Sequence, residues 1–153
     1  MTLEYLRANG KLPAIVERLI PSKPFMQRKD LFGLFDIEYF DPITDETGYV
    51  QSTGHAGRSE HKKKMLATAD EPVSILRLIL RKPNAHADLY TWRKNDRGRW
   101  EVTVERVVKA NVLALNDGSL QPLVFEEIGV PSMAAVREKV REEERRVVRR
   151  LSK

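Results

Sequence analysis

The apolar positions change their period several times along the chain. In TLEYLRAN, Leu3 and Leu6 recur at helical spacing and the run stops at Gly10, which predicts a short helix. AIVERLI, residues 14 to 20, is aliphatic and β-branched and lies between Pro13 and Pro21, which predicts a strand. A second strand is expected over residues 33 to 40, and a third at YVQST after the turn DPITDETG. Residues 56 to 68 suit a helix carrying a basic group. VSILRLIL, residues 73 to 80, is apolar on both faces, as expected of a central strand covered on two sides. ADLYTWRK and RWEVTVERV predict a hairpin across NDRG, with Glu101, Thr103 and Glu105 alternating on a solvated face. After a linker containing NDGSLQP, Ser132 can cap a long final helix.

The resulting order is helix, three strands, helix, strand, then a hairpin. The first three strands have connections suited to a meander. The helix between YVQST and VSILRLIL is long enough to join parallel neighbours. An α/β fold follows, a mixed β-sheet with flanking helices.

Composition narrows the class. With 153 residues, 41% hydrophobic and without internal repeats, the chain has material for one core. The absence of cysteine excludes disulfides and thiolate metal sites. The opening MTLEYLRANGK lacks the basic start and apolar core of a signal peptide, and VSILRLIL is broken by Arg77. These features predict a soluble, cytoplasmic protein with no membrane partner.

The charge is +5 and is unevenly spread: residues 137 to 153 hold eight basic side chains against four acidic ones. A second basic cluster comprises Arg58, Lys62, Lys63 and Lys64. Two such clusters point to a polyanion, most simply nucleic acid.

One residue breaks its surroundings. In DLFGLFDIEYF, residues 30 to 40, Asp36 sits among strong β-formers. A carboxylate inside a strand loses hydration and needs a cation or hydrogen bonds in return. Asp36 is therefore either a ligand-holding acid or a hydrogen-bond acceptor at a strand end. Asp30 precedes a turn glycine and suits a local cap. His55 and His61 could act as general bases, although histidines without metal-ligand spacing are commonly solvated, and His86 suggests no role. Trp92 and Trp100 read as core residues, with stacking on a base as the other use.

The order αβββαβ, with an acid in the second strand and polar residues in the third, resembles the core of the PD-(D/E)xK nuclease superfamily, which includes restriction endonucleases and Holliday-junction resolvases. RKDLFGLFDIEYF, then VQSTG, then YTWRK is similar to a group of small phage and bacterial members with DLFG-x-x-D, Q-x-T and W-R-K in successive strands. The likeness covers residues 1 to 107, implying a restriction-endonuclease-like core. Residues 108 to 153 would be a linker and basic C-terminal helix, either part of that unit or an extension for DNA binding or dimerisation.

The resemblance implies an endonuclease dependent on Mg²⁺ or Mn²⁺ that cleaves DNA, with branched junctions as one substrate class. Asp36 falls at the metal-binding aspartate, Gln51 at the second metal-binding acid and Thr53 at the usual lysine. Glu38 is a further carboxylate for the metal, and Glu17 lies in the preceding strand. Glutamine brings no charge to the metal, and threonine cannot replace an ammonium. Lys62, Lys63 or Lys64 would take over that catalytic role, or Arg58 one turn earlier. Arg58, Arg93 and Lys94, with Arg145, Arg146 and Arg149 in the tail, are the expected nucleic-acid contacts. A homodimer follows by analogy with resolvases. The missing acid and lysine equally fit a catalytically inactive relative that binds nucleic acid or protein.

Overall fold

A computed structural model describes residues 1–21, 26–67, 74–110 and 120–151. The elements are α1 (Thr2–Ala8), β1 (Leu12–Ile15), β2 (Arg18–Pro21), β3 (Met26–Lys29), β4 (Ile37–Asp41) and β5 (Glu46–Gly54). They continue with α2 (Arg58–Ala67), α3 (Ile75–Ile79), β6 (Ala85–Lys94), β7 (Trp100–Lys109), β8 (Leu123–Ile128) and α4 (Met133–Leu151). Six strands form one mixed sheet in the order β1-β4-β5-β6-β7-β8, and β2 and β3 form a separate hairpin. Only β5 and β6 run parallel among the paired strands described. The fold is α/β, as expected.

Each face of the sheet has its own cover. On one, Tyr5 and Leu6 of α1 and Met133 and Val136 of α4 pack on Ile37, Tyr39, Val50, Tyr90, Trp92 and Val104. On the other, Leu34, Phe35, Met65 of α2 and Leu76 and Ile79 of α3 pack on Ala87, Leu89, Val107 and Leu123. Burying each such side chain contributes about 1.5–3 kcal/mol over leaving it exposed. β6 lies between the two layers and is buried from His86 to Trp92. Tyr39 lies flat against the neighbouring strand, and a Cβ at Gly48 would collide with its ring.

Several expected elements differ. VSILRLIL is not the central strand: Ile75–Ile79 is helical, and Val73 lies outside the described residues. The Ser74 hydroxyl accepts from the Arg77 amide as an N-cap, and Leu76 and Ile79, at helical spacing, turn inward. The parallel partner of β5 is instead the ADLYTWRK strand, β6. Double-sided burial was the right criterion applied to the wrong segment.

AIVERLI is not one strand. Its ladder with β4 stops at Ile15, the Val16 amide turns to the Asp36 carbonyl, and the chain enters the β2–β3 hairpin. The strand expected over residues 33 to 40 begins only at Ile37, because Phe32 and Gly33 take positive φ (56° and 72°) in a compact turn that buries Leu34 and Phe35. α2 follows a 3₁₀ turn, His55–Gly57, and Thr68 lies outside the described residues.

The NDRG hairpin forms as expected, and Ser132 caps α4. In NDGSLQP, residues 116 to 119 lie outside the described residues. Beyond it, β8 extends the sheet at β7, and α4 begins in the core before residues 141 to 150 run exposed. No helix among the described residues is long and apolar enough to cross a membrane.

Candidate functional site

Asp36 stands at the entrance to β4. Its amide donates to the Val50 carbonyl (3.0 Å) and its carbonyl accepts from Val16 (2.9 Å), so the main chain is pinned between β5 and β1. Its carboxylate Oδ2 accepts from Gln51 Nε2 (2.7 Å) and from the Ser52 amide (3.0 Å). Burial raises the Asp36 carboxyl above its ordinary range; the two hydrogen bonds oppose this, while Asp30 and Glu17 push it further up. Asp36 is thus a hydrogen-bonded acceptor at a strand end, with no ion pair to a cation among the described residues.

Strand alternation then builds the rest of the face. Gln51 is only 3% exposed, and with Nε2 on Asp36 its Oε1 has no partner among the described residues. Thr53, two residues on, shares that side. Its hydroxyl and the His61 ring converge over Gly57, where a Cβ would meet both. Thr91 lies opposite Thr53 in the β5–β6 ladder. The buried Thr91 Oγ1 and His61 Nδ1 also lack partners among the described residues. Buried polar atoms are normally bonded, so each such case calls for an explanation.

The cations of α2 divide among different acids. Glu105 of β7, expected on a solvated face, is 4% exposed and accepts from Arg58 Nε (2.8 Å) and from Lys62. Burial pushes its carboxyl up, but the bonds from Arg58 and Lys62 outweigh this and hold it below the usual range. Lys62 also lies 5.1 Å from the Phe125 ring centroid, two strands and more from Gln51. Lys63 is exposed and lines a groove with Arg77, Leu120 and Leu123. Lys64 pairs with Asp30 (3.2 Å), one of the acids acting on Asp36. Of the three lysines, Lys64 is therefore tied to the Asp36 group, and Lys62 is held elsewhere.

Glu38 lies across from Tyr49 in the β4–β5 ladder, on the Gln51 side, and its neighbour is the Tyr49 hydroxyl. Arg93 and Lys94 are exposed at the end of β6, where Arg93 pairs with Glu101 (3.2 Å) and Lys94 lies over Trp100. Arg145, Arg146 and Arg149 lie on the exposed part of α4, far along the chain from the acid group, with Arg146 near Glu142 (3.6 Å) and Glu143 (3.8 Å).

Glu105 was the residue sequence reasoning missed. Its signal was its spacing of two from Val107, which faces the α2 layer, together with Arg58 and Lys62 one helical turn apart.

Among the described residues no group of three or more His, Cys, Asp or Glu side chains is placed to hold a metal ion. The Asp36 carboxylate and the Gln51 side-chain amide are in contact, with the amide nitrogen on Asp36 Oδ2 and Oε1 unpartnered among the described residues. Oxygen donors are the type a hard cation takes, and the single carboxylate here is at the low end of the one or two that Mg²⁺ commonly has from protein. Comparisons with protein-family models, with curated proteins and with solved structures found no match.

Proposed function

We propose that the protein is a metal-dependent nuclease of the PD-(D/E)xK type that acts on DNA. The observation that carries this reading is the joining of Asp36 to Gln51 on the α2 side of β5, with Gln51 Oε1 buried and unpartnered among the described residues. The element order supports it: α1, the antiparallel set β1, β4 and β5, a helical crossover, then the parallel strand β6. The β2–β3 hairpin is an insertion between the first two strands of that set.

In this reading Asp36 and Gln51 hold Mg²⁺ or Mn²⁺, with Glu38 close enough in the ladder to contribute through water. The cation, when bound, supplies an activated water and charge stabilisation at the scissile phosphate. Gln51 Nε2 and the Ser52 amide fix the Asp36 carboxylate. Lys64, at the edge of the acid group, supplies the cation that Thr53 cannot. Glu105 keeps Arg58 and Lys62 against β7 and so sets the seat of α2 on the sheet. DNA would meet exposed cations at the ends of β6 and on α4.

The test is incubation of the purified chain with junction, flap, duplex and single-stranded DNA, with Mg²⁺ or Mn²⁺. Cleavage that disappears in Asp36→Asn is expected. Cleavage undiminished in that variant would reject the site. No cleavage, together with metal-free DNA binding, would favour the inactive relative, for which the lone carboxylate beside Gln51 is the supporting observation.

A further inference from the structure

A cleft of about 420 Å³ opens beside the ends of β5 and β6, lined by Leu3, Ile37, Ser52, Thr53, Trp92 and Trp100, with others. Its two indoles differ in kind. Trp92 is buried and anchored, its Nε1 donating to Thr2 Oγ1 (2.8 Å), and Thr2 in turn bonds the Ser52 hydroxyl (2.6 Å). Trp100 is 42% exposed and opposite Lys94 in the ladder. The Lys94 ammonium lies 5.3 Å from the Trp100 ring centroid, and Arg97 and Arg99 in the adjoining turn are also exposed. Trp100 is thus an aromatic surface at the wall of a cleft, with cations at its lip.

The cleft lies on the α1 side of the sheet, and the β5 backbone separates it from the Asp36–Gln51 group on the α2 side. Ser52 contributes to the cleft wall, and its amide donates to Asp36 Oδ2. Thr53 contributes to the cleft and shares the β5 side of Gln51.

We propose that this cleft receives one unpaired nucleobase of a DNA strand, stacked on Trp100. The proposal rests on the nuclease reading for its choice of ligand and deepens it by naming single-stranded DNA, or a base turned out of a duplex, as what the site accepts. The dimensions suit this: the space is at the small end for ligand sites and too small for a base pair with its stacked neighbours. An aromatic wall offers a base its π-face, and the flanking cations offer the backbone charge. The hydroxyls of Thr2 and Ser52 already bond to each other, which leaves stacking rather than edge recognition to hold the base. Binding should therefore be tolerant of base identity.

The experiment measures binding of the full chain to a ten-nucleotide oligothymidylate in EDTA, by tryptophan quenching and by anisotropy, with a blunt duplex as the second probe. Trp100→Ala should weaken oligothymidylate binding about tenfold, within the range for losing one stacked base. Trp100→Phe should recover most of it. The salt slope should stay the same in both variants, because no phosphate contact is removed. Duplex binding should be unaffected.

Equal affinity of Trp100→Ala and the parent for oligothymidylate overturns the proposal, as does an equal loss on the duplex or no oligothymidylate binding by the parent. Cleavage in Mg²⁺ is scored separately. Loss of stacking in a chain that never cleaves sinks the nuclease reading and keeps the subsite; cleavage with unchanged Trp100→Ala binding does the reverse.

Discussion

Replacing Glu105 by glutamine tests how α2 is seated. The carboxylate is nearly inaccessible and serves two cations, through Oε2 to Arg58 and Oε1 to Lys62. Glutamine keeps the shape and one acceptor, but presents an amide donor to a second donor and leaves both cations without a counter-charge. Breaking a fully buried pair from one side costs about 3–5 kcal/mol. Here the Arg58 and Lys62 side chains remain 33% and 29% exposed, so water recovers part of their hydration. The expected loss is about 1–3 kcal/mol. For a chain of this size that lowers the melting temperature by about 3–10 °C.

The pH dependence gives a second readout. The Glu105 carboxyl is held below its ordinary 4.5, so its contribution is present above that pH and is lost as pH falls through the folded value. Melting curves of parent and Glu105→Gln should differ most at neutral pH and converge in acid. DNA affinity of the variant should rise, since two cations lose their internal partner. A melting temperature unchanged at pH 7, or a gap that stays constant down to pH 3, would show that the ion pairs do not hold the helix.

Asp36→Asn should raise stability near neutral pH by about 1 kcal/mol, the scale of relieving an uncompensated, partly buried charge. Because burial raises its folded carboxyl above the unfolded one, the parent should lose stability as pH rises through that window and the variant should not; a destabilised variant would make Asp36 a structural acceptor. Among single Lys→Met variants of Lys62, Lys63 and Lys64, only Lys64 should lower the cleavage rate by about 10² to 10³; equal mild losses at all three would reduce the run to diffuse binding. Changing Arg145, Arg146 and Arg149 together to Gln should flatten the salt dependence of DNA binding by about 0.9 for each phosphate no longer neutralised. An unchanged slope would turn attention to self-association of α4, measured by sedimentation.

The parts of the fold legible in the sequence were those with strong local punctuation. The NDRG hairpin, the Ser132 cap and the stop at Gly10 each rest on a few adjacent residues. What failed needed information from across the sheet. VSILRLIL has a strand's composition, but Ser74 gives its amides a local partner and two inward residues suffice to make it a helix on the α2 side. AIVERLI contains nothing that marks its break, because the break is made by the Val16 amide reaching Asp36. At the candidate site, alternation puts Gln51 and Thr53 on one face, and the resemblance, not spacing, is what set Asp36 beside Gln51. The partition of Arg58, Lys62 and Lys64 between Glu105 and Asp30 was not legible from spacing either, since it depends on which strand α2 crosses.

The sheet also contains an internal control for interpreting its buried polar atoms. On the α1 side, Asp88 is fully buried but receives Arg106 through two bonds, 2.8 and 3.1 Å, and Arg106 stands directly opposite it in the β6–β7 ladder. His86 lies 3.4 Å from the same carboxylate and 2.6 Å from the Tyr39 hydroxyl, and burial lowers its imidazole below the ordinary value. That network is closed within the protein, as structural polar groups in a low-dielectric interior must be. On the α2 side of the same strands, Gln51 Oε1, Thr91 Oγ1 and His61 Nδ1 are buried without a hydrogen-bond partner among the described residues. One sheet shows both behaviours at similar depth, so burial alone does not account for the open side. In the nuclease reading proposed above, Asp36 and Gln51 would hold a hard cation on this side, a role that suits their oxygen donors.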